Sequence, residues 1–572
     1  MITNTDQPSR GLGAWLAEPM RANRGVYIKV ALAAALINLF GIVTSLFTMT
    51  VYDRVIPNNA TESLIALTIG LGIVIIFDFL LRTLRAYFAD VAGAAIDQDV
   101  GDDAFARLLA FRLDQKTGST GGLASLMREL ETLRDFFASV TLTALVDVPF
   151  IALTLIVIAI IGGVLVFVPL LMLPLVVIAA LATQPALERL AAGAMTQAME
   201  KQAVLVETIG GLETVKATGA GQMLANRWGL SMARHSEISL RQRLVSAIAV
   251  NVAVITNTIS YAGVVIVGVG LIANGSLTTG GLIACSILAG RAVAPLGTIA
   301  QLLSRLNQTR TAYRQINALM TAPSEGEAKT PLMLSKVEGR IEFRNVDFRY
   351  PGQSEKALSD VSFKLDPGER VALLGRVGSG KSTVARLILG LYPPEDGLVL
   401  LDGTDLHQFD LRVMRRHYGV ALQDNVLLSG SIRDNIRLDR PDIDDDELLR
   451  VARISGTHDY IGRIANGYDL RLADRGESLS GGQRQSIALA RALAGRPPVL
   501  IFDEPTSAMD AQTEAVLLNQ LNSETKGRTL ILITHRPTML RLVERVILLD
   551  QGRIVADGPR DKILGKDGGT TA

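Results

Sequence analysis

The chain has 572 residues, 49% hydrophobic and 20% charged, with a net charge of +1. Its mean hydropathy of +0.31 is too greasy for one soluble core and too charged for a purely membrane protein, so the average covers at least two unlike domains. Near-equal basic (57) and acidic (56) counts exclude a global basic field for nucleic acid, and the single Cys285 excludes an intrachain disulfide or a Cys-based metal cluster.

The front half is built around charge-free runs. No charge occurs between Lys29 and Asp53, Glu62 and Asp78, Asp147 and Glu188, or Arg243 and Arg291. A helical crossing takes roughly 20 apolar residues, so the last two gaps hold all or part of a hairpin. Gly162-Gly163 breaks the first, and Asn274 to Gly280 breaks the second. This predicts six spans, near 27–50, 63–81, 139–160, 164–183, 246–272 and 281–302. A buried core helix is the alternative for any one run; six in paired order leave it little room. Cys285 lies in such a run and reads as a buried, inert thiol. The tail before the first span has no A-x-A-like cleavage site, so that span reads as a retained helix.

One set of loops carries Arg82, Arg85, Arg107, Arg112, Lys116, Arg128 and Arg134, then Arg189, Lys201, Lys216, Arg227, Arg234, Arg241 and Arg243; the opposite set carries Arg54. The positive-inside tendency puts the first set and the N-terminus in the cytoplasm. Residues 84–138 and 184–243 are helical in pattern, interrupted by Thr117 to Gly122 and by Gly210-Gly211. Membrane helices are therefore expected to continue into the cytosol and turn there, near Gly118–Gly122 and Glu207–Gly219, where they could touch a second domain; a solvated hairpin is the alternative. Asp147 in span three and Arg291 in span six are costly inside a bilayer. Counted from the outer helix ends their levels nearly match, so they are expected to face the bundle interior, and to pair or to line a cargo path, with Asp78 the weaker partner; charges at water-exposed levels that stay solvated are the alternative.

Composition changes after residue 320, and Thr321 to Glu327 reads as a linker. Short strands follow at Ile341–Phe343, Val346–Tyr350 and Val361–Leu365. The apolar run Val371 to Leu374 then opens into Gly375-Arg376-Val377-Gly378-Ser379-Gly380-Lys381-Ser382, a P-loop between strand and helix. Its glycines let backbone N–H groups curl around phosphate at a helix N-terminus. Gly375, Gly378, Ser379, Gly380, Lys381, Ser382 and Thr383 are the expected nucleotide contacts. Lys381 can reach the β- and γ-phosphates and Ser382 can ligate Mg²⁺. Downstream, the buried-strand run Val499 to Phe502 ends in Asp503-Glu504. Asp503 can hold Mg²⁺ through water, and Glu504 is the natural general base for an attacking water.

Leu479-Ser480-Gly481-Gly482-Gln483 precedes a helical run stopped by Gly495 and Pro497-Pro498. Ser480 is placed as an N-cap, at a helix start that again offers N–H groups to an anion. This run resembles the signature motif of ATP-binding-cassette proteins, over residues 341 to about 562. The resemblance implies that Ser480, Gly481, Gly482 and Gln483 contact nucleotide. Tyr350 looks like the aromatic that stacks on adenine, Gln423 like the Q-loop glutamine that senses Mg²⁺, Ser507 to Asp510 like the D-loop, and His535 like the switch histidine at the γ-phosphate. Asp474 stands where exporters of this kind usually show a glutamate. The P-loop of one cassette faces the signature of another in this family, so the resemblance implies a homodimer. The implied fold is a six-helix membrane α-helical bundle of the ABC exporter type fused to a cytoplasmic α/β P-loop NTPase domain. The expected division is a tail over 1–26, the membrane domain over 27–320 with its cytoplasmic extensions, a linker over 321–340, the nucleotide-binding domain over 341–565 and a tail over 566–572.

The membrane half carries a second resemblance, in Val51 to Asn59, Phe77 to Arg82, Leu133 to Phe137 and Ala144 to Phe150. Together these look like the type I secretion exporters, which move adhesins, toxins and proteases out of Gram-negative bacteria with a periplasmic adaptor and an outer-membrane channel. That implies ATP and Mg²⁺ as cofactors, a polypeptide cargo with a C-terminal signal, lipid around the bundle and a place in the inner membrane. About 26 residues precede the first span, too few for a folded domain, so no leader-peptide cleavage is expected. Two alternatives stand: a lipid or drug exporter on the same scaffold, and an ATP-driven regulator that transports nothing.

Overall fold

The charge-free runs are helices. A computed structural model describes residues 13–115, 127, 129–133, 136, 141–325, 332, 336–464, 466–472 and 476–565. The chain divides into two units: residues 1–109 with 117–322, and residues 110–116 with 323–572.

In the first unit α1 spans Ala14–Ala22, α2 Arg24–Thr50, α3 Thr61–Leu109, α4 Thr141–Gly162, α5 Phe167–Gly210, α6 Leu212–Thr218, α7 Gly221–Ala273 and α8 Thr279–Met320. Each expected span lies in its own long helix. Gly163, at φ +55°, ends α4 and begins a tight turn to α5, and Gly275, at φ +73°, separates α7 from α8. At 49, 44, 53 and 42 residues, α3, α5, α7 and α8 outrun the roughly 20 residues a bilayer needs. They therefore extend well past it, as their charged ends predict. The turn at Gly210-Gly211 is present and leads into the short α6. The other expected turn, Gly118–Gly122, and Asp474 lie outside the described residues.

Span packing is apolar. Ile42, Ile158, Leu165, Val264, Cys285 and Leu288 form one buried cluster. Cys285 is fully buried there, as expected of an inert thiol. A Cβ on Gly162 would come within 2.8 Å of its Sγ, so the residue that breaks the hairpin also makes room for the thiol. The most apolar window of α3 has none of its residues buried within this chain, an apolar surface that only lipid or another protein can cover.

The polar run after span one has a physical task. Asp53 accepts from Thr278 Oγ1 at 2.6 Å and from Gly280 N at 2.8 Å, while Thr278 Oγ1 itself accepts from Gly281 N at 3.0 Å. A carboxylate from one end of α2 thus completes the N-cap of α8. Asp53→Ala should destabilise the detergent-solubilised protein by about 1–2 kcal/mol, read as a lower thermal midpoint. An unchanged midpoint would remove this role.

Asp147 and Arg291 are not direct partners. Asp147 accepts from Asn38 Nδ2 of α2 at 2.7 Å. Arg291 packs its guanidinium against Gly41 of α2, where a Cβ would collide with it. Among the described residues no ion pair joins the two. Asp78, expected as the weaker partner, is the acid that stands near Arg291, and it is itself paired with Arg82 at 2.7 Å. The two side chains do lie at nearly matching levels, since Asn38 and Gly41 are three residues apart, about 4.5 Å along the axis. Depth does not fix rotation about a helix axis, and rotation turned each side chain to its own neighbour.

The second unit carries two principal sheets. Strands β1 to β12 span Ile341–Phe348, Leu358–Leu365, Arg370–Leu374, Asp396–Leu401, Thr404–Asp405, Tyr418–Ala421, Gly430–Ser431, Arg471–Leu472, Val499–Asp503, Thr529–Ile533, Arg545–Asp550 and Arg553–Pro559. An antiparallel sheet has the order β2-β1-β4-β5; the larger one runs β12-β11-β3-β10-β9-β6, with β7-β8 as a separate pair. The two short strands expected at Ile341–Phe343 and Val346–Tyr350 are one strand, β1, kinked by register shifts between Phe343 and Phe348. Strands β9 and β10 are buried along their whole length, which is why they read as unbroken apolar runs rather than alternating ones. The parallel register pairs Ala421 with Phe502, Asp503 with Ile533 and Ile533 with Leu373. Four strand ends therefore lie side by side, and the loops that leave them carry Gln423, Asp503-Glu504, His535 and the P-loop.

Residues 110–116 belong to this unit through main-chain bonds. Glu325 N donates to Ala110 O at 2.7 Å, and Phe111 bridges Ser324. Glu325 is fixed in turn by Arg415, whose two terminal nitrogens donate to its carboxylate at 2.6 and 3.0 Å.

Candidate ATP site

The P-loop is shaped by positions only glycine can fill. Gly375 has φ +146°, and a Cβ there would strike the carbonyl of Leu549 and Ser379 Oγ. Gly380 has φ +100°, and a Cβ would sit 2.6 Å from Leu358 Cδ2 and 2.8 Å from Ala357 O. With Gly378 and Ser379 between them, these turns deliver the chain to α9, Lys381–Ile388. Lys381 is 7% exposed. Its Nζ curls back to donate to Gly375 O at 2.7 Å, Arg376 O at 2.8 Å and Ser379 Oγ at 3.4 Å. Burial lowers its pKa, against the pull of Asp503 and Glu504. A cation is thus held over a glycine cradle at a helix start, a geometry made for an anion.

Beside it, Ser382 faces Asp503, the last residue of β9. Asp503 is 4% exposed, and burial raises its pKa against the opposing pull of Ser382, Arg386 and Lys381. A hydroxyl and a carboxylate side by side are hard oxygen donors that fit Mg²⁺. Glu504 sits at φ +52°, left-handed for a non-glycine residue, with its N–H bonded to Ile533 O at 2.8 Å. Its Oε1 is buried without a hydrogen-bond partner, 3.8 Å from His535 Nε2. Burial is the first cause raising its pKa, with Asp503 adding to it and His535 opposing. A partnerless carboxylate oxygen of raised basicity facing an imidazole is suited to take a proton from water. Gln423 is exposed two residues past β6, on the neighbouring strand end.

Tyr350 lies just beyond β1. Its hydroxyl accepts from Arg386 Nη1 at 2.7 Å and meets Thr383 Oγ1 at 3.1 Å. Phe348 and Tyr392 pack against it edge-on at 4.9 and 5.4 Å, which fixes its plane. Sequence reading missed Arg386, whose position one turn after the Lys381-Ser382 pair was the available signal.

The remaining candidates gather elsewhere. Ser480 caps α10, Gly481–Leu493, in a reciprocal box: Ser480 Oγ accepts from Gln483 N at 3.3 Å, and Gln483 Oε1 accepts from Ser480 N at 2.8 Å. Gly481 and Gly482 pack against Ala508, where a Cβ would lie 3.3 Å from its Cβ and 3.0 Å from its carbonyl. Asp510 caps α11, Ala511–Glu524, accepting from Thr513 N at 2.9 Å and Thr513 Oγ1 at 2.7 Å. Among the described residues no hydrogen bond joins any of Ser480, Gly481, Gly482, Gln483 or Asp510 to the P-loop of the same chain.

Comparison with known proteins agrees in both halves. Residues 27–296 match the family described as ABC transporter transmembrane region, and residues 358–507 the family described as ABC transporter. The chain is 34% identical over 557 residues to the exotoxin translocation ATP-binding protein PaxB of Pasteurella aerogenes, covering 97% of this chain and 78% of that one. It is 32% identical over 554 residues to the alpha-hemolysin translocation ATP-binding protein HlyB of Escherichia coli, covering 96% and 78%. The leukotoxin translocation ATP-binding protein LktB of Mannheimia haemolytica is similar at 32% over 557 residues, covering 97% and 78%. In fold it resembles a bacterial Atm1-family ABC exporter with ATP bound, with a TM-score of 0.85 at 24% identity over 96% of this chain and 97% of that one. A P-loop cassette joined to six apolar helices, colinear with these relatives from end to end of the match, makes this chain a multi-pass membrane ATPase coupled to transport, and it belongs to the type I secretion family of ABC exporters.

Proposed function

We propose that the chain works as a homodimer in the bacterial inner membrane and exports a polypeptide with an uncleaved C-terminal signal. The cargo is of the RTX adhesin, toxin or protease class. The partners are a periplasmic adaptor and an outer-membrane channel. The observation that carries this reading is the uninterrupted match to toxin-translocating relatives across membrane half and cassette alike. The dimer is supported by the one P-loop and one signature run that the chain carries: two copies would let each signature face the other's Lys381.

In that arrangement Lys381 and the N-terminus of α9 neutralise the β- and γ-phosphates of ATP. Tyr350 stacks on adenine. Mg²⁺ held by Ser382, with Asp503 through water and Gln423 sensing it, would supply charge neutralisation at the phosphates. Glu504 takes the proton of a water whose oxygen attacks the γ-phosphorus, while the bond to the ADP oxygen breaks and His535 steadies the transferred group.

The test uses the full chain reconstituted in lipid vesicles. A C-terminal fragment of an RTX-type polypeptide should change its ATPase rate. Indifference to the fragment together with stimulation by lipids or drugs would replace this reading with a flippase or drug exporter.

A further inference from the structure

The segment from Glu504 to Asp510 runs from the candidate base to the N-cap of α11, and two side chains from other elements hold its main chain. On one side is Gln485, in the second turn of α10 and 3% exposed. Both ends of its amide are bonded. Nε2 donates to Glu504 O at 2.7 Å and Ser507 Oγ at 3.0 Å, and Oε1 accepts from Ala508 N at 2.9 Å. On the other side is Arg536, the residue after His535. Its Nη2 donates to Ser507 O at 3.0 Å and its Nη1 to Met509 O at 3.1 Å. The same guanidinium is paired with Glu514 of α11, whose side chain is 4% exposed.

The consequence lies at Glu504. Its buried Oε1 has no hydrogen-bond partner, and the carboxylate faces the backbone and ring of His535. Its aim depends on the placing of the His535 loop and on the backbone of Glu504, which is held at φ +52°. That conformation costs a non-glycine residue free energy and persists where surrounding bonds over-determine it. Here the bonds are Glu504 N to Ile533 O and Gln485 Nε2 to Glu504 O. Arg536 adds a planar fork to two carbonyls that a lysine cannot reproduce.

We propose that Gln485 and Arg536 are positioning residues for ATP hydrolysis: they clamp the Glu504–Asp510 segment from both sides, so that the signature helix and the residue after His535 together fix the position of the base. The proposal rests on the assignment of Glu504 as base. Seating of α10 on nucleotide is then relayed through Gln485 to the carbonyl of Glu504, and the same displacement reaches His535 through Arg536.

Steady-state ATPase of the reconstituted full-length protein tests it. Arg536→Lys, which keeps the charge facing Glu514, and Gln485→Met, which keeps volume, should each lower kcat by about ten-fold or more. KM for ATP should stay within about three-fold, because the phosphate cradle is untouched. A merely structural role is separated by the double variant Arg536→Met with Glu514→Leu, which replaces the buried ion pair with apolar side chains but supplies no fork. Its thermal midpoint should recover while kcat stays low; recovery of both together would overturn the proposal. Where the double variant does not fold, Arg536→Lys decides. Glu504→Gln in the same assay keeps the two readings apart. If it turns over ATP, the assignment of the base fails. If it is inactive while Arg536→Lys and Gln485→Met run at the wild-type rate, the clamp fails and the base stands.

Discussion

Glu504→Gln should bind ATP and scarcely hydrolyse it, with turnover lower by about 10²–10⁴-fold. The substitution keeps the size of the side chain and its place at the end of β9. It removes the charge that draws a proton from water, and the amide cannot take that proton at neutral pH. Nothing in the cradle changes, since the bonds of Lys381 run to Gly375, Arg376 and Ser379. Bound nucleotide should therefore accumulate, and a closed dimer should persist, visible as ATP retained after gel filtration. The wild-type pH profile carries a second signature. Burial and Asp503 raise the pKa of Glu504, and a base must be deprotonated to act. Turnover should thus fall, as pH is lowered, at values above the ordinary glutamate range. A Gln variant within a few-fold of wild type, or an acid limb at the ordinary glutamate value, would remove Glu504 from this role.

What the sequence made legible was local. The P-loop could be read because its glycines, lysine and serine are contiguous, and because the backbone turns they impose are properties of those residues. The spans could be read because a bilayer needs a run of apolar residues in one helix. The order of the strand ends was not accessible: the buried run Val499 to Phe502 reads as a continuous apolar strand, but which strands flank it is set by long-range pairing. Long-range polar contacts were not legible. Asp53 caps a helix more than 220 residues away in the chain, and nothing around it in sequence names Thr278. Asn38 is one polar residue in an apolar span, and nothing near it in sequence names Asp147, to which it donates. Arg536 and Gln485 stand beside His535 and Gln483 but carry no motif role of their own in the sequence. In each case the missing information is the rotation or approach of a second element, which periodicity leaves free.

Lys381→Ala should lose nucleotide affinity rather than turnover alone. Its Nζ is satisfied by two loop carbonyls and, more weakly, by Ser379 Oγ, groups that cannot neutralise its charge. Burial pushes its pKa down, while Asp503 and Glu504 pull it up. A buried cation left this way gains most when an anion arrives. Charge-assisted hydrogen bonds contribute about 1.5–3 kcal/mol each, so loss of the ammonium should weaken ATP binding by about ten- to a hundred-fold, at 1.4 kcal/mol per decade. The folded state should survive, because the core of the sheet is supplied by Val371, Leu373, Ile501 and Ile531, not by the lysine stem. The thermal midpoint without nucleotide should therefore match wild type, while the rise produced by ATP disappears. Glu504→Gln should show the opposite pattern, with the ATP-induced rise kept and turnover gone. If Lys381→Ala kept its ATP-induced rise, the phosphates would have to be held by the backbone N–H groups of the cradle alone, and the charge at Lys381 would be acting on the transition state instead.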